Sequence, residues 1–345
     1  MSQNRRRQLL VAAAAILALP RAGYAQQPDK VWRIGFLVPS MLDPAPGGSD
    51  PYAPDVNPAK PDPYAAAFMR EMKAAGQSYR VNYVVMLRSA AGEYERLPEL
   101  AQELLRLKVD IIVPVTPVAV SAARGASKTV PIVFIAAHDP VGAGMAASLA
   151  RPGGNLTGLA TFYGDLIPKH LELVKAVLPK ASRVAILAPV ELGAVSKLEQ
   201  KIRDAALKLG LRLQVLPVDS VEQLPRAFAD MTRERADAFV AVADAIFHRE
   251  RRQIANLAQK HQLPSFFAIR ENVEAGGLLS YGEDAVELFA QAAKYVSKIM
   301  KGAKPGDLPI EQPTKFHLAI NVRTARALKL NLPQELLLRA DEVIE

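Results

Sequence analysis

The chain has 345 residues, half of them hydrophobic, enough to bury a sizeable core and to form two domains rather than one. It contains no cysteine, which excludes disulfides, thiolate metal sites and cysteine nucleophiles. The formal net charge of +8 would suit a nucleic-acid partner, but its distribution along the chain argues otherwise.

The first segment reads MSQNRRRQLLVAAAAILALPRAGYAQQ. Arg5, Arg6 and Arg7 precede an apolar stretch from Leu9 to Leu19, a helix breaker at Pro20 and small residues at Gly23 and Ala25. This layout predicts a signal peptide over residues 1–25, cleaved near Ala25, and a periplasmic mature protein. The apolar stretch is too short for a permanent membrane span. Arg6-Arg7 followed by Gln8-Leu9-Leu10 also weakly resembles a twin-arginine export signal. Residues 1–25 hold four arginines and no acid, so the rest of the chain sets 39 Lys and Arg against 35 Asp and Glu, about +4. That remainder has no basic tract and no interleaved aromatics, and no nucleic-acid partner is expected.

Short β-branched runs then alternate with amphipathic segments. WRIGFLVP (32–39) reads as a strand and is followed by a proline-rich stretch, DPAPGGSDPYAPDVNPAKPDP (43–63), which forbids helix and central strand and reads as a surface loop. YRVNYVVML (79–87), VDIIVPV (109–115) and PIVFIAA (131–137) read as further strands. Between them Leu97, Leu100, Ala101 and Leu104 share one helical face. The second half repeats the programme: RVAILAP (183–189) echoes RIGFLVP, ADAFVAVADAIF (236–247) echoes VDIIVPVTPVAV, and PSFFAIRENVEAGGLL (264–279) echoes PIVFIAAHDPVGAGMA. Ile167, Leu171, Val174 and Leu178 share a face, as do Val195, Leu198, Ile202, Ala205 and Leu209. The fold class is therefore α/β, with two doubly wound, Rossmann-like lobes of parallel sheet covered by helices. Ligands of such sheets sit beyond the carboxyl ends of the strands, here in a cleft between lobes.

Several longer stretches are more specific. ASLARPGGNLTGL (147–159), EAGGLLSYG (274–282), EQPTKFHLAIN (311–321) and RADEVIE (339–345) resemble the ABC-transporter substrate-binding family that includes tryptophan- and tyrosine-type binding proteins. The resemblance runs from about Val31 to the C-terminus. It implies the type I periplasmic binding fold, with two lobes joined by a three-strand hinge. It places the N-terminal lobe at 26–160 with a crossover segment at about 283–310, the C-terminal lobe at 161–282, and a final crossover and closing segment at 311–345. It further implies a periplasmic solute-binding component of an ABC importer, with an ABC permease of the inner membrane as partner and an aromatic or branched amino acid as expected ligand. The alternatives are a binding protein that feeds a membrane receptor and an exported enzyme on the same fold. The chain departs from its relatives at the proline-rich insertion, at the turn AAGQSYRVN (74–82), where they have a glycine-rich acidic turn, and at His138, where they tend to have glycine before Asp-Pro.

Three strand ends share one chemical form, Thr116-Pro117, Asp139-Pro140 and Asp244-Ala245, an oxygen-bearing side chain before a good first helical residue. Each reads as a helix N-cap, and its helix N-terminus can also line the cleft and face an anion. For an amino-acid ligand, Asp244 and Asp139, with Glu271 behind them, are the candidate partners of the ammonium. Arg270 is the candidate clamp for the carboxylate. Phe162, Tyr163, Phe247 and Tyr281 are candidate aromatic walls, and Ser40 and Met41 follow the first strand. The expected ligand-binding set is Ser40, Thr116, His138, Asp139, Thr161, Phe162, Asp244, Phe247, Arg270, Glu271 and Tyr281. No catalytic residue, metal ligand or cofactor is expected. The five histidines show no metal-ligand spacing, and neither G-x-S-x-G nor G-x-G-x-x-G occurs. His138 and Asp139, adjacent on an extended chain, point to opposite faces and make a poor general-base pair.

Overall fold

Short runs rich in Val, Ile, Leu and Phe form the central strands, buried on both faces, and the longer amphipathic runs form the helices that cover them. The computed structural model describes residues 30–40, 62–162, 165–189 and 196–345, without the side chains of 196–199. The signal segment 1–25, Met41, residues 43–61 of the proline-rich stretch, Tyr163, Val195 and the side chain of Leu198 lie outside the described residues. Trp32–Glu345 forms one compact unit.

The first sheet contains β1 (Trp32–Val38), β2 (Tyr83–Ser89), β3 (Ile111–Pro114), β4 (Ile132–His138) and β5 (Leu156–Thr161), all parallel in the order β2-β1-β3-β4-β5. Its helices are α1 (Pro63–Ala74), α2 (Leu97–Arg106) and α3 (Pro117–Ala126). The second sheet contains β6 (Arg183–Ala188), β7 (Arg212–Pro217), β8 (Ala238–Ala241), β9 (Ser265–Phe267), β10 (Leu279–Gly282), β11 (His317–Asn321) and β12 (Glu342–Ile344), in the order β12-β11-β10-β9-β8-β6-β7. Around it lie α4 (Ile167–Val177), α5 (Ser196–Lys208), α6 (Leu224–Arg233), α7 (Ala245–Arg249), α8 (Arg251–Lys260) and α9 (Arg270–Glu274).

The strands alternate faces with period two, so each lobe has two apolar layers. Ile34 and Phe36 of β1 join Phe68 and Met72 of α1, while Leu37 joins Leu100 and Leu104 of α2. Val184 and Ile186 of β6 join Leu171 and Val174 of α4, while Ala185 and Leu187 join Phe228 and Met231 of α6. Burying a side chain of the size of Phe68 or Met72 contributes about 2 kcal/mol.

The chain passes between the sheets three times. It leaves β5 for α4, and returns after β10 to lay α10 (Ala285–Met300) against α1, where Leu288 and Val296 complete the layer begun by Phe68. It then runs past the edge of the first sheet, where Leu159 and Glu311 form a parallel bridge, and enters β11. Because β11 starts beside the end of β10, with His317 opposite Gly282, it runs antiparallel, against the all-parallel expectation. The expected strand at 79–87 begins only at Tyr83. Arg80 takes φ 63° in a turn held by the Ser78 amide donating to Asn82 Oδ1.

Candidate ligand-binding cleft

The carboxyl ends of the parallel strands in the two sheets face each other and are joined by side chains. Tyr64, at the start of α1, is placed by the Asp62 cap, whose carboxylate accepts from the Tyr64 and Ala65 amides at 2.9 and 2.8 Å. Its hydroxyl crosses to the second lobe, donates to Glu271 Oε1 at 2.8 Å and lies 3.4 Å from His248 Nε2. The Tyr94 hydroxyl reaches both oxygens of Asp244, at 3.2 and 3.4 Å. The Ser40 hydroxyl donates to the Ala245 carbonyl at 3.4 Å, and Arg249 Nη1 donates to the Ala91 carbonyl at 2.8 Å. Ser40, Asp244 and Glu271, expected at the site from sequence, are thus brought together.

The expected caps come out differently from one another. Asp244 caps α7, accepting from the Ile246 amide at 2.8 Å. Thr116 precedes α3 but makes no capping bond. Its backbone, at φ 81° and ψ 155°, is in a region that non-glycine residues enter at a cost, and its Oγ1 is buried without a hydrogen-bond partner. Asp139 caps no helix. Residues 139–146 form turns, in which Asp139 Oδ1 accepts from the Gly142 amide at 2.9 Å and the Asp139 carbonyl accepts from the Ala143 amide at 2.9 Å. Gly142 and Gly144 follow Pro140, and glycine opposes propagation of a helix. Phe247 is only 2% exposed and packs in the apolar layer with Phe228 and Phe267, so it is core rather than cleft wall. Thr161 is buried in β5 opposite His138, whose Nδ1 is buried without a partner.

The three passages between lobes converge on a residue that sequence reasoning missed. Glu283 follows β10, is 3% exposed, and accepts from the Phe162 amide at 2.6 Å through Oε1, while Oε2 is buried and has no hydrogen-bond partner. Burial, only partly offset by the Phe162 amide, raises its carboxyl to about 7. Each passage also contributes an aromatic ring. Phe316 lies 6.3 Å from Phe162 and stacks on Tyr281 at 5.7 Å. Beside Glu283 is a cavity of about 10 Å³, lined by Ala268, Arg270, Glu271, Asp284 and His317 among others, with room for about one water-sized group. Arg270 lines it but pairs with Glu342 at 3.1 Å and Glu274 at 3.5 Å. Tyr64, Tyr94, His248, Glu283 and His317 complete the constellation. The only local signal for any of them was Asp62-Pro63, a helix start that fixes Tyr64. Among the described residues no group of His, Asp and Glu could hold a metal ion, and no helix is long and apolar enough to cross a membrane.

Two doubly wound lobes, linked by three passages and facing each other at their strand ends, define the type I periplasmic binding fold. The chain belongs to the ABC transporter substrate binding protein family, which it matches over residues 66–344. It is 24% identical over 264 residues to a tyrosine-binding protein of Clostridioides difficile, an alignment spanning 76% of this chain and 75% of the relative. A conserved domain protein of Vibrio cholerae superposes with a TM-score of 0.78 at 24% identity, covering 91% of this chain and all of that one. The ABC domain from Streptococcus pneumoniae in complex with L-Trp superposes with a TM-score of 0.73 at 22% identity, covering 90% of this chain and all of that one.

Proposed function

We propose that this chain is the exported solute-binding component of an ABC importer. It captures a small molecule between its lobes by hinge closure and presents it to an inner-membrane permease. The observation that carries this reading is the pairing of the two sheets' carboxyl ends through Tyr64–Glu271 and Tyr94–Asp244. Side chains from both lobes there contribute to one polar surface, so a solute that bridges them favours the closed arrangement by its differential affinity. Ser40, His138, Asp244, Arg270, Glu271 and Tyr281 are the residues we assign to that surface. We assign Thr116, which follows β3 and keeps a buried hydroxyl without a partner, to the same surface. The names of the relatives support an aromatic amino acid as solute, and the family membership supports the transport role. The N-terminal Arg-apolar-Pro-small layout supports export.

A thermal-shift screen of amino acids, small carboxylates and polyols tests this. At least one class should raise the unfolding midpoint in proportion to the logarithm of its concentration, as expected for a ligand that binds only the folded state. If every compound leaves the midpoint unmoved, or if one is chemically turned over, the transport reading falls.

A further inference from the structure

We propose that Glu283 is the receptor for an ammonium group of the solute held between the lobes: one of its oxygens is buried without a partner, and Glu283 and His317 both line one small cavity where the passages between lobes meet. This rests on the solute-binding reading and names the chemistry of one end of that solute. Among the described residues, Glu283 is the one carboxylate with a buried oxygen that lacks a hydrogen-bond partner. The acids expected from sequence are already engaged. Both oxygens of Asp244 hold Tyr94, and one also caps α7. Glu271 accepts from Tyr64, and Asp139 closes its own turn on Gly142.

The other charged groups around the cavity are engaged away from Glu283. Arg270 is held by Glu342 and Glu274, and Asp284 caps α10 by accepting from the Val286 and Glu287 amides at 2.8 and 3.2 Å. His317 lines the cavity, and its Nδ1 is buried without a partner. An ammonium head has the size of a water and three donors, which suits a cavity of about 10 Å³ lined by a carboxylate and an imidazole that each keep one unmatched atom buried beside it. The Phe162 amide stabilises the carboxylate from the other side. Since burial holds this carboxyl near 7, an ammonium arriving at lower pH displaces the Glu283 proton to the buffer as the ion pair forms.

The test is calorimetric titration of the full chain and of Glu283→Gln with L-tyrosine, L-tryptophan and their deaminated counterparts, 3-(4-hydroxyphenyl)propionate and indole-3-propionate. It is run at about pH 6 in two buffers of different ionisation enthalpy, below the value to which burial raises the carboxyl. The wild type should bind an amino acid about tenfold or more tightly than its deaminated counterpart, as loss of a charge-assisted contact predicts, and release close to one proton. Glu283→Gln should lose both the preference and the proton release, while binding the deaminated acid as the wild type does. If Glu283→Gln does not fold, the buffer dependence of the wild-type enthalpy decides. A Glu283→Gln protein that keeps the preference, or a wild type that releases no proton, overturns the subsite and leaves solute binding standing. If none of the four compounds binds the wild type, the aromatic amino-acid reading falls and the subsite with it.

Discussion

Thr116 combines backbone strain with a buried hydroxyl that meets no partner. A residue other than glycine at φ 81°, ψ 155° costs on the order of 1–3 kcal/mol, and glycine returns up to about 1 kcal/mol of that through its freer unfolded chain. Thr116→Gly should therefore stabilise the fold by about 1 kcal/mol in denaturant titration, and weaken solute binding, since the hydroxyl is among the cleft groups we assign. The contrast between two Asp-Pro pairs shows what was legible at this scale. Asp62-Pro63 is followed by the Ala-rich YAAAFMREM and starts a helix, whereas Asp139-Pro140 is followed by VGAG and makes only turns. The glycines that separate the two cases were visible in the sequence. Glu283 was not legible, because nothing local marks an acid as buried. Its environment is built by Phe162 and His317, which reach it only through the fold.

At the scale of elements, strands such as β1, β3, β4, β6 and β8 followed from β-branched runs, and helices such as α2 and α4 from the apolar faces of residues such as Leu97, Leu100 and Leu104, all of which are buried. The direction of β11 did not follow, since an isolated apolar run carries no sign of orientation. It is set by the place where the chain re-enters the second sheet beside Gly282. Gly282 itself is constrained by packing, as an added Cβ would collide with the Ala268 carbonyl oxygen next to β9. Gly282→Ala should push β10 from β9 just before Glu283 and lower stability by about 2 kcal/mol, within the range for overpacked sites. Thermal unfolding measures this directly.

At the scale of the whole molecule, two buried groups tilt the pH dependence of stability in opposite directions. Burial lowers the His170 imidazole from 6.5 to about 4, against the hydrogen bond between its Nε2 and the Tyr281 carbonyl. The unfolded chain thus binds a proton that the folded chain refuses, and this contribution to stability, complete above about pH 6.5, is lost as pH falls toward 4. Glu283 does the reverse. Raised from 4.5 to about 7, it keeps its proton when folded, and its contribution, complete below about pH 4.5, is lost as pH rises through about 7. Their slopes oppose one another across the shared interval. Glu283→Gln, which leaves the His170 slope unopposed, should therefore gain stability relative to the wild type as pH rises from about 4.5 to 7, by roughly 3 kcal/mol, as denaturant midpoints at each pH would record.

The position of α10 has a consequence for how the chain reaches this state. The helix that completes the first lobe's apolar layer is made only after the whole body of the second lobe, and the second lobe in turn waits for β11 and β12. Neither lobe can finish folding as it leaves the ribosome. Both reach their native cores late, through contacts of high sequence separation that must wait for the last strands before they can form.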